Sequence, residues 1–395
     1  MARLALVCAL PVLAFGSALV QFTTSRCGAI DWASPEVEEA WWRAMPRVAL
    51  PLAPAEFDRS FGARHARTPA VLLGLMDAWP ALRTWSPAFF REHYGDKQVE
   101  VFFWGRSGLD WNARTRIESM SIRRFVDDIV LSTSRGAQPG YVQESSFLED
   151  EDEDDGADGE GSGGGASDAR LPAPDAEPAA AHSAAVRAAR ARVSRLVASS
   201  KARAWADVLW FPHAPLPAVD TAVIETAFWL GGAGVGTGIH YDASPAFLHQ
   251  VHGVKRVVLW PPSARARLAP SAKYNYGAEL SEIDPRAFLV GHPLADEPSD
   301  AAARARVEAE WPRFGALPNV TVDLQPGETL AVPPGWWHAT LTMSPSISVA
   351  VRVQSACQKR AEWFDDLLLA LHNAGLYKRG QCVCHSDAAA RGTGR

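Results

Sequence analysis

Between Thr221 and Val353, six short runs (TAVIETAFWL, KRVVLW, VTVDL, ETLAV, WHATLT and SISVAVRV) alternate apolar and polar residues and are punctuated by glycine and proline. A period of two sends successive side chains to opposite faces of a strand, so each run can bury one face and hydrate the other. Many short strands of this kind, divided by turn residues, close into a sandwich or barrel, and jelly rolls belong to that class.

A second folded stretch lies upstream. From Thr68, PAVLLGLMDAWPALRTWSPAFFREHYGDKQVEVFFW reads as a buried strand, a helix near Ser86 to Tyr94 and a strand from Gln98 to Trp104, followed by a short amphipathic helix over Met120 to Leu131 and a strand at Tyr141-Val-Gln143. The chain carries a net charge of −6, but nine of its acids fall within Glu149 to Glu160; without them the remainder is +3. The acidity is therefore local, and a nucleic-acid footprint is not expected of the body. That acidic run, GSGGGAS and a Pro/Ala stretch cannot bury enough apolar surface to order themselves. Ala184 to Ala206, carrying Arg187, Arg190, Arg192, Arg195, Lys201 and Arg203, reads as a solvated helix beside an acidic tract of opposite sign. The segment from about 146 to 201 is thus an insert within one domain spanning 67–355, with 21–66 as an N-terminal extension and 356–395 as a C-terminal helix and tail. In that tail Arg360 to Leu376 presents Trp363, Phe364, Leu367, Leu368 and Leu371 on one apolar face, which asks for a partner, either the barrel or a second copy; a homodimer through 360–376 is the expectation.

Residues 1–20 combine one arginine, an uncharged and mostly apolar run and the small residues Gly16, Ser17 and Ala18, the pattern of a signal peptide. An uncleaved anchor with a luminal body is the alternative. Either address directs the body to the secretory pathway, in the endoplasmic reticulum lumen or outside the cell. Cleavage would leave Cys27, Cys357, Cys382 and Cys384, compatible with two disulfides, and would make the sequon Asn319-Val-Thr321 a glycosylation candidate if it lies on the surface.

The chemically informative stretch is Gly236-Thr-Gly-Ile-His240-Tyr-Asp242. Residues two apart on a strand project from one face, so His240 and Asp242 can share a metal ion. A third ligand is offered by His338, 96 residues after Asp242 and just beyond the turn Pro333-Pro334-Gly335. Two histidines and one carboxylate form the facial set of non-haem Fe(II) oxygenases. Taken singly, His240 also fits a barrel rim, and His338 a packed position beside Trp336 and Trp337.

The segments HYDASPAFLHQVHGVKRVVLWPP, LQPGETLAVPPGWWHATL and SISVAVRV, preceded by RTPAVLLGLMDAWPALRTW and FFREHYGDKQVEV, closely resemble in order the JmjC/cupin-like 2-oxoglutarate oxygenases, the group that includes asparaginyl hydroxylases. The resemblance covers about Thr68 to Val353 apart from the insert. It implies an all-β core, a double-stranded β-helix or jelly roll with flanking α-helices and a C-terminal helix, in which His240, Asp242 and His338 hold Fe(II). It further implies that Lys255 pairs with the distal carboxylate of 2-oxoglutarate, a short charge-assisted bond in a partly dry barrel, with the hydroxyls of Thr237 and Tyr141 beside it. Read without the motif, Lys255 is an exposed strand residue, and His249 and His252 are ordinary polar ones.

Two positions depart from the family pattern. Ala246 and Ala350 stand where asparagines often help bind the cosubstrate. Losing two contacts of about 1 kcal/mol each weakens such binding roughly tenfold or more without abolishing it. The expected function is a dioxygenase that hydroxylates a protein or peptide side chain. The alternatives are a catalytically weak or inactive JmjC-like binding protein of the secretory lumen and a cupin metalloenzyme that does not use 2-oxoglutarate. Loops Pro261 to Asp284 and Gly291 to Pro318 are expected at the barrel mouth, where specificity would reside.

Overall fold

The computed structural model describes residues 45–49, 68–77, 79–103, 116–132, 139–144, 221–275, 278–284, 298–314, 317–355, 363–378 and 381–382. The readings of 1–20, of the insert at about 146–201, of the Ala184 to Ala206 helix and of Cys27, Cys357 and Cys384 lie outside them. Among the described residues no helix is long and apolar enough to cross a membrane.

The strands, in chain order, are β1 (Arg47–Ala49), β2 (Ala70–Leu73), β3 (Gln98–Phe103), β4 (Arg116–Ser121), β5 (Gly140–Glu144), β6 (Thr221–Gly231), β7 (His240–Asp242), β8 (Ala246–His252), β9 (Lys255–Trp260), β10 (Ala278–Leu280), β11 (Val320–Leu324), β12 (Thr329–Val332), β13 (Trp337–Thr342) and β14 (Ser346–Ser355). They form two sheets, β1-β2-β12-β8-β14-β6-β5-β3-β4 and β10-β7-β13-β9-β11. Every pairing is antiparallel except β1 with β2.

Alternation along the strands divides the core. Val257 and Leu259 of β9 and Val322 and Leu324 of β11 meet Leu330 and Val332 of β12, Val71 of β2 and Ala246 of β8 in a layer between the sheets. The intervening residues Val258 and Trp260, with Trp337, Ala339 and Leu341 of β13, face outward onto Phe314 and Leu317. On the nine-stranded sheet Phe228, Leu230, Val349 and Val351 bury their outer face against Phe90, Ile122 and Phe125. Those three come from helices α2 (Pro87–His93) and α3 (Ile122–Phe125), which follow the short α1 (Ala81–Thr84). Ser86 starts α2 by accepting a hydrogen bond from the Phe89 amide (3.1 Å), and Ser121 does the same for α3 from Arg124 (3.3 Å). These three core clusters, built on two mostly antiparallel sheets, give the all-β jelly-roll core with flanking helices that the resemblance implies.

Three boundaries differ from the sequence reading. Met120 lies within strand β4 rather than opening a helix, because the helical turn begins only after Ser121, the last strand residue and the cap; beyond Phe125 the turn loosens into a π-helix over Val126–Val130. The stretch Pro261 to Asp284, expected to be loop, forms a 3-10 helix (Pro262–Arg267) and strand β10, whose Leu280 and Ala278 pair with His240 and Asp242. The stretch Gly291 to Pro318 contains helix α4 (Pro298–Glu310), of which Val307 packs into the outer core. Helix α5 (Trp363–Asn373) realises the C-terminal helix. Its buried His372 bonds the Tyr377 carbonyl (2.7 Å) and lies against Tyr274 (4.6 Å between ring centroids), while Leu367 and Leu376 stay exposed.

Candidate metal centre

Strand pleat and register bring three donors together. His240 and Asp242 are two apart on β7, so they share a face. On β13, His338 stands directly opposite His240, and directly opposed residues of an antiparallel pair have neighbouring Cβ atoms. The two imidazole centroids are 4.3 Å apart, and His338 Nε2 is 3.9 Å from Asp242 Oδ2. Ligand atoms of the three residues all lie within 4.8 Å of one another. The approach to His338 is fixed by Gly335, whose backbone has φ 77°, a left-handed turn that disfavours other residues; its amide donates to the Asp242 carbonyl (3.0 Å).

The chemistry of the donors fits a metal. His240 Nδ1 lies 2.8 Å from the Gly238 carbonyl and His338 Nδ1 lies 3.0 Å from that of Trp336. A carbonyl can only accept, so Nδ1 carries a hydrogen in both rings and Nε2 is the nitrogen left to face a metal. Burial, with the neighbouring His240 adding to it, pushes the pKa of His338 down to about 4, so the ring is neutral near pH 7. Two imidazoles and one carboxylate suit a borderline divalent ion such as Fe(II). Residues 240, 242 and 338 thus come together as the sequence implies.

The inner face of β13 continues from His338 through Thr340 to Thr342, and Thr342 pairs in register with Lys255 on β9. Four residues of strand separate His338 from Lys255, roughly 13 Å of backbone. Lys255 is buried at 7% exposure, not on the surface, whereas its neighbour Arg256 points outward to bind Asp323 with two nitrogens (2.7 and 2.8 Å). Burial draws the Lys255 pKa down to about 7, and its ammonium stands 5.8 Å from the Trp229 ring centroid. Tyr141, Trp229, Thr237, Lys255 and Thr340 line one cavity. In it Tyr141 stacks between Phe102 (5.4 Å) and Trp229 (5.6 Å), and burial pushes its hydroxyl up to about 12, so it remains a donor. The Thr237 and Thr340 hydroxyls are 3.1 Å apart, and the Thr237 oxygen accepts from the Thr340 amide (3.1 Å). The three residues assigned to the cosubstrate by resemblance therefore share one cavity.

One histidine and one arginine depart from the sequence reading. His249 is fully buried, bonded to Thr329 Oγ1 (2.8 Å) and packed on Trp79 (5.3 Å), with its pKa lowered to about 3 by burial; it is a core residue, not an ordinary polar one. His252 is half-buried, with its pKa lowered by desolvation. Arg352 went unnoticed in SISVAVRV, yet its Nη2 donates to Asp242 Oδ1 at 3.0 Å. Ala350 and Ala246 lie beside it: Arg352 pairs with Ala246 across β14 and β8, and Ala350 with Leu248.

Comparison with known proteins matches residues 54–353 to the cupin-like domain. Relatives include Jumonji C domain-containing protein 5 of Drosophila melanogaster, 31% identical over 127 residues (32% of this chain, 27% of that protein), and lysine-specific demethylase 8 of Xenopus tropicalis, 21% identical over 286 residues (71% and 47%). JmjC domain-containing protein 8 of Mus musculus is 27% identical over 147 residues (37% and 44%). The matched region spans less than half the length of each of these three relatives. A match over most of the chain, on a double-sheet fold with the donors of a facial metal site, establishes that this chain belongs to the cupin-like domain family.

Proposed function

We propose that the protein is an Fe(II)- and 2-oxoglutarate-dependent dioxygenase that hydroxylates a side chain of a protein or peptide in the secretory pathway. The observation that carries this reading is the shared inner face of β13 and β9, with a His/Asp/His donor set at one end and a buried lysine four residues of strand away. His240, Asp242 and His338 hold the metal through Nε2, a carboxylate oxygen and Nε2. Bound there, Fe(II) and 2-oxoglutarate supply oxidation of a C–H bond by O2, with succinate and CO2 as coproducts. Lys255 receives the distal carboxylate in a place where water is sparse, which strengthens the ion pair. Tyr141, protonated at all physiological pH, and Thr237 orient that carboxylate by donating hydrogen bonds. The outward Trp337 and Leu341 pack the strand that carries His338 against the outer core, holding its ring in place. The secretory address is supported by the apolar N-terminal run and by Asn319, which is exposed in the structure and accepts from the Thr321 hydroxyl (3.4 Å).

Incubation of the full chain with Fe(II), 2-oxoglutarate, O2 and peptide libraries should yield succinate, and His240→Ala should abolish it. No succinate from the wild-type chain with any library would remove the catalytic claim. A second reading, a binding protein with little or no turnover, is favoured by the apolar methyls of Ala246 and Ala350, which supply no polar contact. It predicts no metal-to-ligand charge-transfer band on anaerobic addition of Fe(II) and 2-oxoglutarate, and no succinate.

A further inference from the structure

Asp242 makes a contact that the ligand set does not require. It is buried at 6% exposure, and a carboxylate so placed needs partners for both oxygens. Oδ2 faces His338 Nε2 at 3.9 Å; Oδ1 is taken by Arg352 Nη2 at 3.0 Å. The arginine reaches it from a different sheet. Alternation along β14 sends Ile347, Val349, Val351 and Val353 into the outer core, and Arg352, between the last two, to the opposite face toward β7. Its anchor is fixed: Arg352 pairs with Ala246, and the Val353 amide donates to the Pro245 carbonyl (3.1 Å), tying β14 to the turn that follows Asp242. Across from the arginine, Ala246 offers only a methyl, leaving room for the guanidinium. One third of the Arg352 side chain remains exposed.

We infer that Arg352 is a positioning residue that holds Asp242 as a one-oxygen metal donor by occupying Oδ1 and leaving Oδ2 turned toward the two imidazoles. A free carboxylate can chelate an ion with both oxygens and so use up a coordination position; one oxygen bonded to a planar guanidinium cannot swing round. Partners outside the ligand set that orient a ligating group in this way typically contribute 10- to 100-fold in metal affinity. The inference rests on the reading of His240, Asp242 and His338 as metal ligands. It differs in sign from the plain electrostatic alternative, in which Arg352 only neutralises a buried acid. There the cation repels the incoming ion, and removing it tightens binding.

The test is anaerobic titration of the full chain with Co(II) alone, following the visible Co(II) absorption, for wild type, Arg352→Gln and Arg352→Lys, with the thermal unfolding of each metal-free protein measured alongside. Positioning predicts that Arg352→Gln binds Co(II) about 10- to 100-fold more weakly, with a changed band shape from altered carboxylate coordination. It also predicts that Arg352→Lys restores part of the affinity, while metal-free unfolding is little changed. Equal or tighter binding by Arg352→Gln overturns it. Should Arg352→Gln fail to fold, Arg352→Lys decides alone: an intact fold with weakened Co(II) binding and an altered spectrum upholds the inference, and wild-type affinity with an unaltered spectrum overturns it. Wild-type protein that binds no Co(II) removes both this inference and the metal reading beneath it, whereas tight wild-type binding with indifferent variants removes the inference only.

Discussion

Lys255 holds an ammonium where charge is costly, and that cost makes its pH behaviour predictable. Its folded pKa of about 7 lies below the ordinary value of 10.5, so between those limits the unfolded chain carries more protons and Lys255 contributes stability that rises with pH. Binding a dicarboxylate demands the opposite, a protonated lysine. The affinity for 2-oxoglutarate should therefore weaken by about tenfold per pH unit above 7, which calorimetry at several pH values can follow; Lys255→Ala should bind poorly at all of them. His249 gives a second expectation. Its folded pKa of about 3 lies below the ordinary 6.5, so it contributes stability above pH 6.5 that is lost progressively as pH falls toward 3. Thermal unfolding midpoints should drop across that window, and His249→Leu should flatten part of the slope even if it lowers the plateau. At this scale the period of two puts His240 and Asp242 on one face, and the ordered motifs are what mark the pair as ligands. His338 and Lys255 needed the ordered motifs as well. Arg352 and His249 were not legible, because their partners are remote in the chain: cross-strand register sets Thr329 beside His249, and the packing of the two sheets sets Asp242 beside Arg352.

The element that delivers Lys255 is the β8–β9 turn. Gly253 sits there at φ 69°, and a Cβ would run into the Pro345 carbonyl oxygen. Gln250, fully buried, donates to the carbonyls of His252 (2.7 Å) and Gly253 (2.9 Å) and to Ser346 Oγ (2.9 Å), and accepts from Ser348 (2.8 Å), so the turn is bolted to β14. Gly253→Ala should cost at least about 2 kcal/mol from left-handed strain and the clash together. Chemical denaturation measures the loss, and weakened 2-oxoglutarate binding by the folded fraction would show Lys255 displaced. All six strand runs from Thr221 onward are realised, because half-buried strands write their faces into the sequence. Helix α4 was missed for the converse reason. Only Val307 of its described side chains is buried, so PSDAAARARVEAE carries no apolar stripe; its alanine, arginine and glutamate content, after Pro-Ser-Asp, was the signal available. Strand β10 was missed because three residues of mixed polarity cannot display a period.

For the whole molecule, the sheet order bears on the long stretch of chain between Glu144 and Thr221. Strands β5 and β6 pair directly, Glu144 with Phe228 and Tyr141 with Gly231, so the chain leaves and re-enters the sheet between neighbours. A connection of that kind tolerates length at small entropic cost. Replacing residues 146–201 by a short Gly/Ser linker should leave unfolding free energy within about 0.5 kcal/mol and metal binding unchanged. The central claim is that His240, Asp242 and His338 present one ion to a cosubstrate whose far end reaches Lys255. Anaerobic addition of Fe(II) and then 2-oxoglutarate to the full chain tests it most directly. A visible metal-to-ligand charge-transfer band should appear that saturates at one equivalent of each, vanishes in His240→Ala and needs far more 2-oxoglutarate in Lys255→Ala. A wild-type protein that gives no band, or a band indifferent to His240→Ala, would contradict it.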